Sequence, residues 1–312
     1  MMVGARRVAL IGLGEVGEAL ANDLHRVEGV EISAWDRVFA VAGSEPQRVA
    51  AALSFLAVAG DMTEAVRGSS LIVSAVTAGE CRAAADEAAR ALTPGAFYLD
   101  LNSVSPDTKT AAARAIEGAG GRYVEAAVMS PIAPKRIASP IWLGGPHARE
   151  FLPIAQSLGF AGSAVYSDTL GEASAAKMCR SVIVKGMEAL LAESLLTARR
   201  HGVEDAVLAS LEDLFPVGDW RKLARYMISR SLQHGRRRAE EMREAARTVA
   251  EAGFEPWMSD GIVARQEWAA RQTSALRAKA LTELLDDVLT RTPAPGAARE
   301  AAAEPPREAA SR

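Results

Sequence analysis

Three glycines at fixed spacing, Gly12, Gly14 and Gly17, constrain the fold of this chain most strongly. The short apolar run Val8–Ile11 precedes them, and the helix-forming segment Glu18–His25 follows. In a strand–turn–helix unit, the first glycine permits a tight turn, the second lets a pyrophosphate approach, and the third lets the helix pack closely on the strand. The phosphates would accept hydrogen bonds from the helix N-terminus. The spacing therefore predicts a dinucleotide-binding turn, and a glycine-rich turn that binds nothing is the alternative.

An acidic residue follows at the distance typical of such units. Asp36 ends a second strand-like run, about twenty residues after the last glycine. A carboxylate there accepts hydrogen bonds from the adenosine ribose and repels a 2′-phosphate, which favours NAD. The guanidinium of Arg37 is able to hold a 2′-phosphate instead, so NAD is preferred only slightly over NADP. For Asp36, a strand-end turn residue is the alternative.

The first half of the chain alternates strand-like and helix-like segments. The predicted strands are Val8–Ile11, Glu31–Ala34, Phe55–Ala57, Leu71–Ala75, Ala96–Leu101, Tyr123–Val128 and Ile141–Leu143. The predicted helices between them are Glu18–Val27, Gln47–Ala52, Met62–Val66, Glu80–Ala91 and Pro106–Glu117. This alternation predicts an α/β fold with a doubly wound, mostly parallel Rossmann sheet and helices on both faces.

The second half carries helical patterns almost exclusively. The predicted helices are Leu170–Arg200, Glu204–Leu214, Trp220–Gln233, Arg236–Ala252, Pro256–Thr273 and Ser274–Thr290. Their predicted breaks fall at Gly202, Phe215-Pro216, Gly235 and Gly253. Residues 291–312 lack large apolar side chains, which predicts a disordered tail. We therefore expect a Rossmann domain over residues 1–168, an all-α C-terminal domain over 169–290 for substrate binding or dimerisation, and a tail over 291–312.

Composition narrows the function classes. The 312 residues carry 36 Lys and Arg against 39 Asp and Glu, a net charge of −3 that does not favour nucleic acid as a partner. The two cysteines and four histidines show no metal-ligand spacing, so no metal site is expected. No apolar run approaches the ~20 residues of a membrane span, and the chain begins directly with a strand, which predicts a cytoplasmic protein.

The candidate for proton transfer is Lys177, on the first helix of the all-α domain. Small and apolar residues surround it in the sequence. Beside a nicotinamide, such surroundings favour the neutral amine, which exchanges a proton with a substrate hydroxyl. Ser181 lies one turn further along the same helix face, where it would orient the lysine or the substrate. A lysine that extends its amine into solvent is the alternative.

Two loops that follow strands carry further polar residues. Ligands bind at the carboxyl ends of the strands in open α/β sheets. We expect Asn102 and Ser103 to contact the cofactor amide or substrate oxygens, and Ser130 to donate to a substrate carboxylate. Helix capping by Ser105 is the alternative for the first loop, and a plain Ser-Pro turn is the alternative for the second.

Together these motifs resemble the β-hydroxyacid dehydrogenase family, which includes 3-hydroxyisobutyrate and 6-phosphogluconate dehydrogenases. Gly12–Gly17 matches the cofactor loop of the family, and Asp100–Pro106 is similar to its Asp-x-Ser-Thr-x-x-Pro motif. Glu125–Ser130 resembles its substrate loop, and Lys177 aligns with its catalytic lysine. The resemblance runs from the N-terminus to about residue 190. Beyond that point, the sequence resembles an uncharacterised helical domain found in one branch of the family.

The resemblance implies an NAD(P)-dependent oxidoreductase that acts on a small β-hydroxyacid or a related 3-hydroxy compound, with Lys177 as general acid and base. Pro131 and Ile132 replace two family glycines, and Ser181 replaces an asparagine, so the substrate is not carried over. An imine or enamine reductase and a non-catalytic NAD(P)H-binding sensor are the alternatives. Imine reductases share the fold but usually lack the lysine.

The predicted site therefore combines one catalytic residue with substrate and cofactor contacts. The substrate contacts are Ser103, Ser130, Ser181 and His234. The cofactor contacts are Gly12, Leu13, Gly14, Glu15, Val16, Gly17, Asp36, Arg37, Val76 and Asn102. His234 belongs to a charged cluster, Arg230–Arg238, which Glu240, Glu241 and Glu244 follow; we interpret it as a solvated, salt-bridged face, with a substrate anion pocket as the alternative. The family resemblance implies a homodimer through the helical domain.

Overall fold

Eight strands form one sheet in the structure, a computed structural model that describes residues 6–212 and 218–292. The strands are β1 (Arg6–Ile11), β2 (Val30–Trp35), β3 (Ala57–Val58), β4 (Leu71–Ser74), β5 (Phe97–Asp100), β6 (Arg122–Val128), β7 (Ile141–Gly144) and β8 (Ser163–Ser167). Their order is β3-β2-β1-β4-β5-β6-β7-β8, and only β6 and β7 pair antiparallel. The order reverses between β1 and β4, which is the doubly wound arrangement predicted from the sequence.

Seven helices connect these strands. They are α1 (Glu15–Leu24), α2 (Glu45–Ala52), α3 (Met62–Val66), α4 (Cys81–Ala88), α5 (Pro106–Gly118), α6 (Ile132–Lys135) and α7 (Ala148–Ser157). Local sequence explains where several begin. Before α5, the hydroxyl of Ser105 accepts a hydrogen bond from the Thr108 N–H, and Pro106 occupies the first helical position.

The sheet is buried on both faces. Along β1, Val8 and Leu10 pack into one apolar cluster, which also contains Leu99. Ala9 and Ile11 point the other way, into the cluster that contains Tyr98. This double burial explains the nearly continuous apolar runs of the central strands.

The second half is helical, as predicted. Its helices are α8 (Glu172–His201), α9 (Glu204–Glu212), α10 (Trp220–Glu251), α11 (Trp257–Ala269) and α12 (Leu281–Arg291). None of the described helices is both long and apolar enough to cross a membrane. Backbone contacts group the chain into two compact units. Among the described residues, the first unit contains those up to Val182 together with Glu240–Asp260. The second contains the described residues of Ile183–Ala239 and those from Gly261 onward.

Each unit has its own apolar core. The sheet supplies the core of the first, and Leu195, Ile228 and Leu284 belong to that of the second. Both α8 and α10 contribute residues to the two units. The expected domain division after residue 168 stays a prediction.

Several element bounds differ from the prediction. Helix α7 was not predicted, because Pro153 interrupts its helical pattern. Strand β8 was not predicted either, because its sequence Ser-Ala-Val-Tyr-Ser lacks a run of large apolar residues. α1 begins at Glu15 rather than Glu18, and the predicted helix Ser274–Thr290 begins only at Leu281, after a short 3-10 helix. Leu214, the predicted break at Phe215-Pro216 and the predicted tail from residue 293 lie outside the described residues.

The predicted helix break at Gly235 is wrong, because α10 continues through it. A Cβ atom at Gly235 would lie 2.5 Å from the Gln266 carbonyl oxygen and 2.8 Å from the Ala270 nitrogen. The backbone at the end of α11 therefore passes α10 at a distance that only glycine permits. The glycine serves helix packing and does not end a helix.

We expect Gly235→Ala to lower the free energy of unfolding by roughly 1–3 kcal/mol, as overpacking does. Gly261→Ala on α11 is the matched control, because nothing lies within 4 Å of its Cβ position. There, the better helix propensity of alanine should raise stability by up to about 1 kcal/mol. Urea unfolding measures both. Equal stabilisation by the two substitutions would contradict the close crossing at Gly235.

Candidate active site

The turn between β1 and α1 is built on the three glycines. Gly12 has φ +91°, and a Cβ on it would lie 2.5 Å from the Ala75 carbonyl oxygen. A Cβ on Gly17 would lie 2.1 Å from the carbonyl oxygen of Gly12. In contrast, nothing lies within 4 Å of the Cβ position of Gly14, which is the N-cap of α1 and has no side chain to accept from the first turn. Packing thus requires glycine at positions 12 and 17, whereas Gly14 leaves room for a pyrophosphate.

The acidic residue after β2 holds this turn. One oxygen of Asp36 accepts from the Leu13 N–H at 2.8 Å, and the other accepts from the Val38 N–H at 3.0 Å. The neighbouring guanidinium of Arg37 forms an ion pair with Glu80. Asp36 therefore lies beside the glycine turn, where a carboxylate that accepts hydrogen bonds from an adenosine ribose is expected. The positive charge of Arg37 is already compensated by Glu80.

Asn102 connects the ends of β4 and β5. Its side-chain oxygen accepts from the Val76 N–H at 2.8 Å, and its amide nitrogen donates to the Ser74 hydroxyl at 2.9 Å. A Cγ atom of Val76 lies 3.2 Å from the Cβ position of Gly12. The structure therefore brings Gly12, Val76 and Asn102 together. Both ends of the Asn102 amide are engaged within the protein, so this side chain positions the Val76 N–H. The contact of Asn102 with a cofactor stays a prediction.

A buried carboxylate, to which the sequence motifs assign no role, lies beneath this loop. Asp100 is fully buried and pairs with the Lys109 ammonium. Its carboxylate accepts hydrogen bonds from three groups: the Tyr123 hydroxyl, the Cys81 thiol and the Asn102 N–H. Burial, and next the charge of Asp100, raise the pKa of the Cys81 thiol and the Tyr123 hydroxyl far above their usual values. Both groups remain protonated donors at neutral pH, and Cys81 is not a nucleophile.

A second buried carboxylate holds the start of α8. Glu125 on β6 accepts from the Gly171 N–H at 2.7 Å and from the Ser174 N–H, so it binds the N-terminus of the helix that carries Lys177. Gly144 leaves the space for it, since a Cβ there would lie 2.7 Å from a Glu125 oxygen. Unpaired N–H groups and the helix dipole favour an anion at this position. The signal in the sequence was an acid within an otherwise apolar strand.

The predicted catalytic helix lies beside the predicted substrate loop. The Arg180 guanidinium donates to the Met129 carbonyl oxygen at 3.1 Å, which ties the first turns of α8 to the residues that follow β6. In that loop, the Ser130 hydroxyl donates to the Pro131 carbonyl oxygen at 3.2 Å. Lys177 is half-buried in the same compact unit.

The other two serines belong to this unit as well. Ser103 is half-buried and follows β5, whereas Ser181 is buried on α8. Because β5 and β6 are parallel neighbours, Ser103 and Ser130 follow strands that end at the same edge of the sheet. Within residues 6–212 and 218–292, no group of three or more His, Cys, Asp or Glu side chains is arranged to hold a metal ion.

The charged cluster on α10 differs from the prediction. Arg236 and Arg237 are exposed, as expected of a solvated face, but Arg238 is buried and pairs with Glu188 at 2.7 Å. Burial raises the pKa of Glu188, and the charge of Arg238 partly offsets that effect. Glu244 is also buried, and it accepts a hydrogen bond from the N–H of Ser105. The prediction of a solvated face is therefore wrong for Arg238 and Glu244.

His234 belongs to the second compact unit. Its predicted contact with substrate stays a prediction.

Two family models match the chain. Residues 7–151 match the NAD binding domain of 6-phosphogluconate dehydrogenase, and residues 198–269 match a domain of unknown function, DUF1932. A conserved hypothetical protein from Sinorhizobium meliloti is 33% identical over 92% of this chain and 98% of its own, with a TM-score of 0.69. A conserved protein of unknown function, described as structurally similar to 3-hydroxyacid dehydrogenases, is 32% identical over 85% of this chain and 97% of its own, with a TM-score of 0.64.

The chain belongs to the β-hydroxyacid dehydrogenase family, in a branch with a helical C-terminal domain. It is accordingly a nicotinamide-dependent dehydrogenase that acts on CH–OH groups. The 3-hydroxyisobutyrate dehydrogenase of Mycobacterium tuberculosis, solved with L-serine, shares the fold at a TM-score of 0.64 and 16% identity, over 90% of this chain and 98% of its own. The family and the enzyme class expected from the sequence are confirmed.

We expect Glu125→Gln to lower the free energy of unfolding by roughly 1–3 kcal/mol, because the amide would direct an N–H group at one of the two N–H donors of α8. Glu28→Gln is the control, since that side chain is exposed. Urea unfolding of both variants checks the expectation. If the two variants were equally stable, Glu125 would not hold the start of α8.

Proposed function

We propose that the protein transfers a hydride between NAD(P) and a small β-hydroxyacid or a related 3-hydroxy compound. The supporting observation is that the glycine turn, the Ser130 loop and the first turns of α8 belong to one compact unit, with Arg180 joining the last two. Bound nicotinamide supplies the redox chemistry, and the residues of this chain supply binding, orientation and proton transfer.

The proposed cofactor residues surround the turn between β1 and α1. They are Gly12, Leu13, Gly14, Glu15, Val16, Gly17, Asp36, Arg37, Val76 and Asn102. The open space at Gly14 fits a pyrophosphate, and the carboxylate of Asp36 fits the hydroxyls of an adenosine ribose. The ion pair between Arg37 and Glu80 weakens the case for a 2′-phosphate, so the proposal keeps a slight preference for NAD over NADP.

The proposed proton carrier is Lys177. During oxidation its amine takes the proton of the substrate hydroxyl, and during reduction its ammonium returns a proton to the carbonyl oxygen. Ser103, Ser130 and Ser181 hold the oxygens of the substrate near it. Glu125 and Arg180 fix the helix turns on either side of this lysine, which supports a fixed backbone position for it.

We also propose that two copies form a homodimer through the helical domain, as the family resemblance implies. Ile183 and Leu190 support it, because they lie seven residues apart on α8 and leave 67% and 59% of their surfaces exposed. Residues at this spacing occupy one helix face, where a second copy would cover them.

The test of the catalytic role is Lys177→Met. We expect turnover of any active 3-hydroxyacid to fall by about a hundredfold or more, the usual effect of losing a general acid–base group, while the Kd for the cofactor stays unchanged. Protein fluorescence measures the binding of NADH and NADPH, and nicotinamide absorbance measures turnover across a hydroxyacid panel. Lys222→Met, at an exposed position, is the control.

Each other outcome has a defined meaning. Full turnover by Lys177→Met would contradict the proposed mechanism. Wild-type activity on cyclic imines alone would make the protein an imine reductase. Binding without turnover of either substrate class would leave a sensor. Binding of neither dinucleotide would exclude a functional glycine turn.

Cofactor preference gives a separate prediction. Glu80→Gln should free Arg37 to reach a 2′-phosphate and tighten NADPH binding by up to about fivefold, the scale of one exposed ion pair. The Kd for NADH should not change, since Asp36 keeps both of its hydrogen bonds. Titrations of both cofactors measure the ratio, with Glu28→Gln as the control. An unchanged ratio would show that Arg37 does not face the adenosine ribose.

A further inference from the structure

One buried ion pair of the first unit has no part in the proposed chemistry. Lys109 of α5 is 1% exposed, and Asp100 at the end of β5 is not exposed at all. Removing two charges from water has a high desolvation cost, which makes a buried pair weak evidence for stability in itself. The hydrogen bonds around the pair indicate another role.

The ammonium of Lys109 fixes Asp100 at two atoms. It lies 3.0 Å from a carboxylate oxygen and donates to the backbone carbonyl oxygen of the same residue at 2.8 Å. That carboxylate oxygen also accepts from the Asn102 N–H at 2.9 Å. Lys109 thereby determines how the chain turns as it leaves β5.

The other carboxylate oxygen of Asp100 is held as firmly. It accepts from the Tyr123 hydroxyl at 2.6 Å and from the Cys81 thiol at 3.3 Å. Both donors stay protonated at neutral pH because burial raises their pKa. With donors on both oxygens, the carboxylate has one orientation, and Asn102 has one position.

The last link reaches the proposed cofactor site. Asn102 accepts from the Val76 N–H, and a Cγ atom of Val76 lies 3.2 Å from the position that a Cβ on Gly12 would occupy. Asp36 follows β2, on one side of β1, whereas Val76 and Asn102 follow β4 and β5 on the other side. A dinucleotide that lies across the reversal of strand order places its adenosine on the β2 side and its nicotinamide on the β4–β5 side.

We propose that Lys109 is a positioning residue for the nicotinamide half of the cofactor, acting through Asp100 and Asn102 on Val76. The inference rests on the proposed function, because it requires a dinucleotide at the glycine turn. It assigns a role to a lysine that touches neither cofactor nor substrate.

The test compares the whole cofactor with its adenosine fragment. Lys109→Met should weaken binding of NADH or NADPH by roughly tenfold, the effect of losing one charge-assisted hydrogen bond. Binding of 5′-AMP, or of adenosine 2′,5′-bisphosphate if NADPH is the cofactor, should change by less than about twofold, because Asp36 and the glycine turn remain in place. Isothermal titration calorimetry measures all of these affinities.

Two further variants separate positioning from general stability. Phe151→Leu removes volume from the core on the opposite face of the sheet and should leave the ratio of the two affinities unchanged. Tyr123→Phe removes one donor from Asp100 and keeps the ring, so it should shift the ratio in the same direction as Lys109→Met, by about threefold. It also serves as the test if Lys109→Met does not fold.

The inference is overturned if the variants weaken cofactor and fragment equally, or weaken neither. In both cases the wild-type protein still binds the dinucleotide, and the proposed function stands. If the wild-type protein binds no nicotinamide dinucleotide, the proposed function fails, and the role of Lys109 fails with it.

Discussion

The contact between Gly17 and the carbonyl oxygen of Gly12 is the constraint on which the rest of the site depends. No larger side chain fits there, so the first turn of α1 packs directly on the end of β1. That packing places the N-terminus of α1 at the carboxyl ends of the strands, and Asp36, which follows the neighbouring strand β2, accepts a hydrogen bond from the same turn. A turn fixed from two sides needs no rearrangement to receive a phosphate, which reduces the cost of binding.

Two buried carboxylates organise the remainder of the site. Asp100 and Glu125 are register partners on β5 and β6, yet each is satisfied differently. Asp100 relies on a lysine and three neutral donors, whereas Glu125 relies on the N–H groups at the start of α8. A buried charge without its partners has a high free-energy cost. Each carboxylate therefore fixes the position of a segment that is distant in the sequence. One segment is the loop after β5, and the other is the helix that carries Lys177.

Much of the first unit was predictable because its signals are local. The apolar runs at β1 and β4 and the glycine spacing depend on neighbours in the sequence. The features that were missed depend on residues distant in the sequence. Glycine is required at position 235 because the backbone near Ala270 passes close to it, and the burial of Arg238 depends on its ion pair with Glu188, fifty residues earlier. Lys109 resembles an ordinary surface lysine of an Ala-rich helix until Asp100 is placed beneath it. Candidate site residues were identifiable from the sequence by residue type. The roles of Asp100 and Glu125, which hold the segments that carry them, became apparent only in the tertiary structure.

The protonated, enclosed thiol of Cys81 has a practical consequence. The chain contains two cysteines, and the other, Cys179, is exposed on α8 two residues after Lys177. A maleimide fluorophore or spin label should therefore modify one cysteine and spare the other. The native sequence thus provides a single spectroscopic reporter within one helical turn of the proposed proton carrier, without removal of any cysteine.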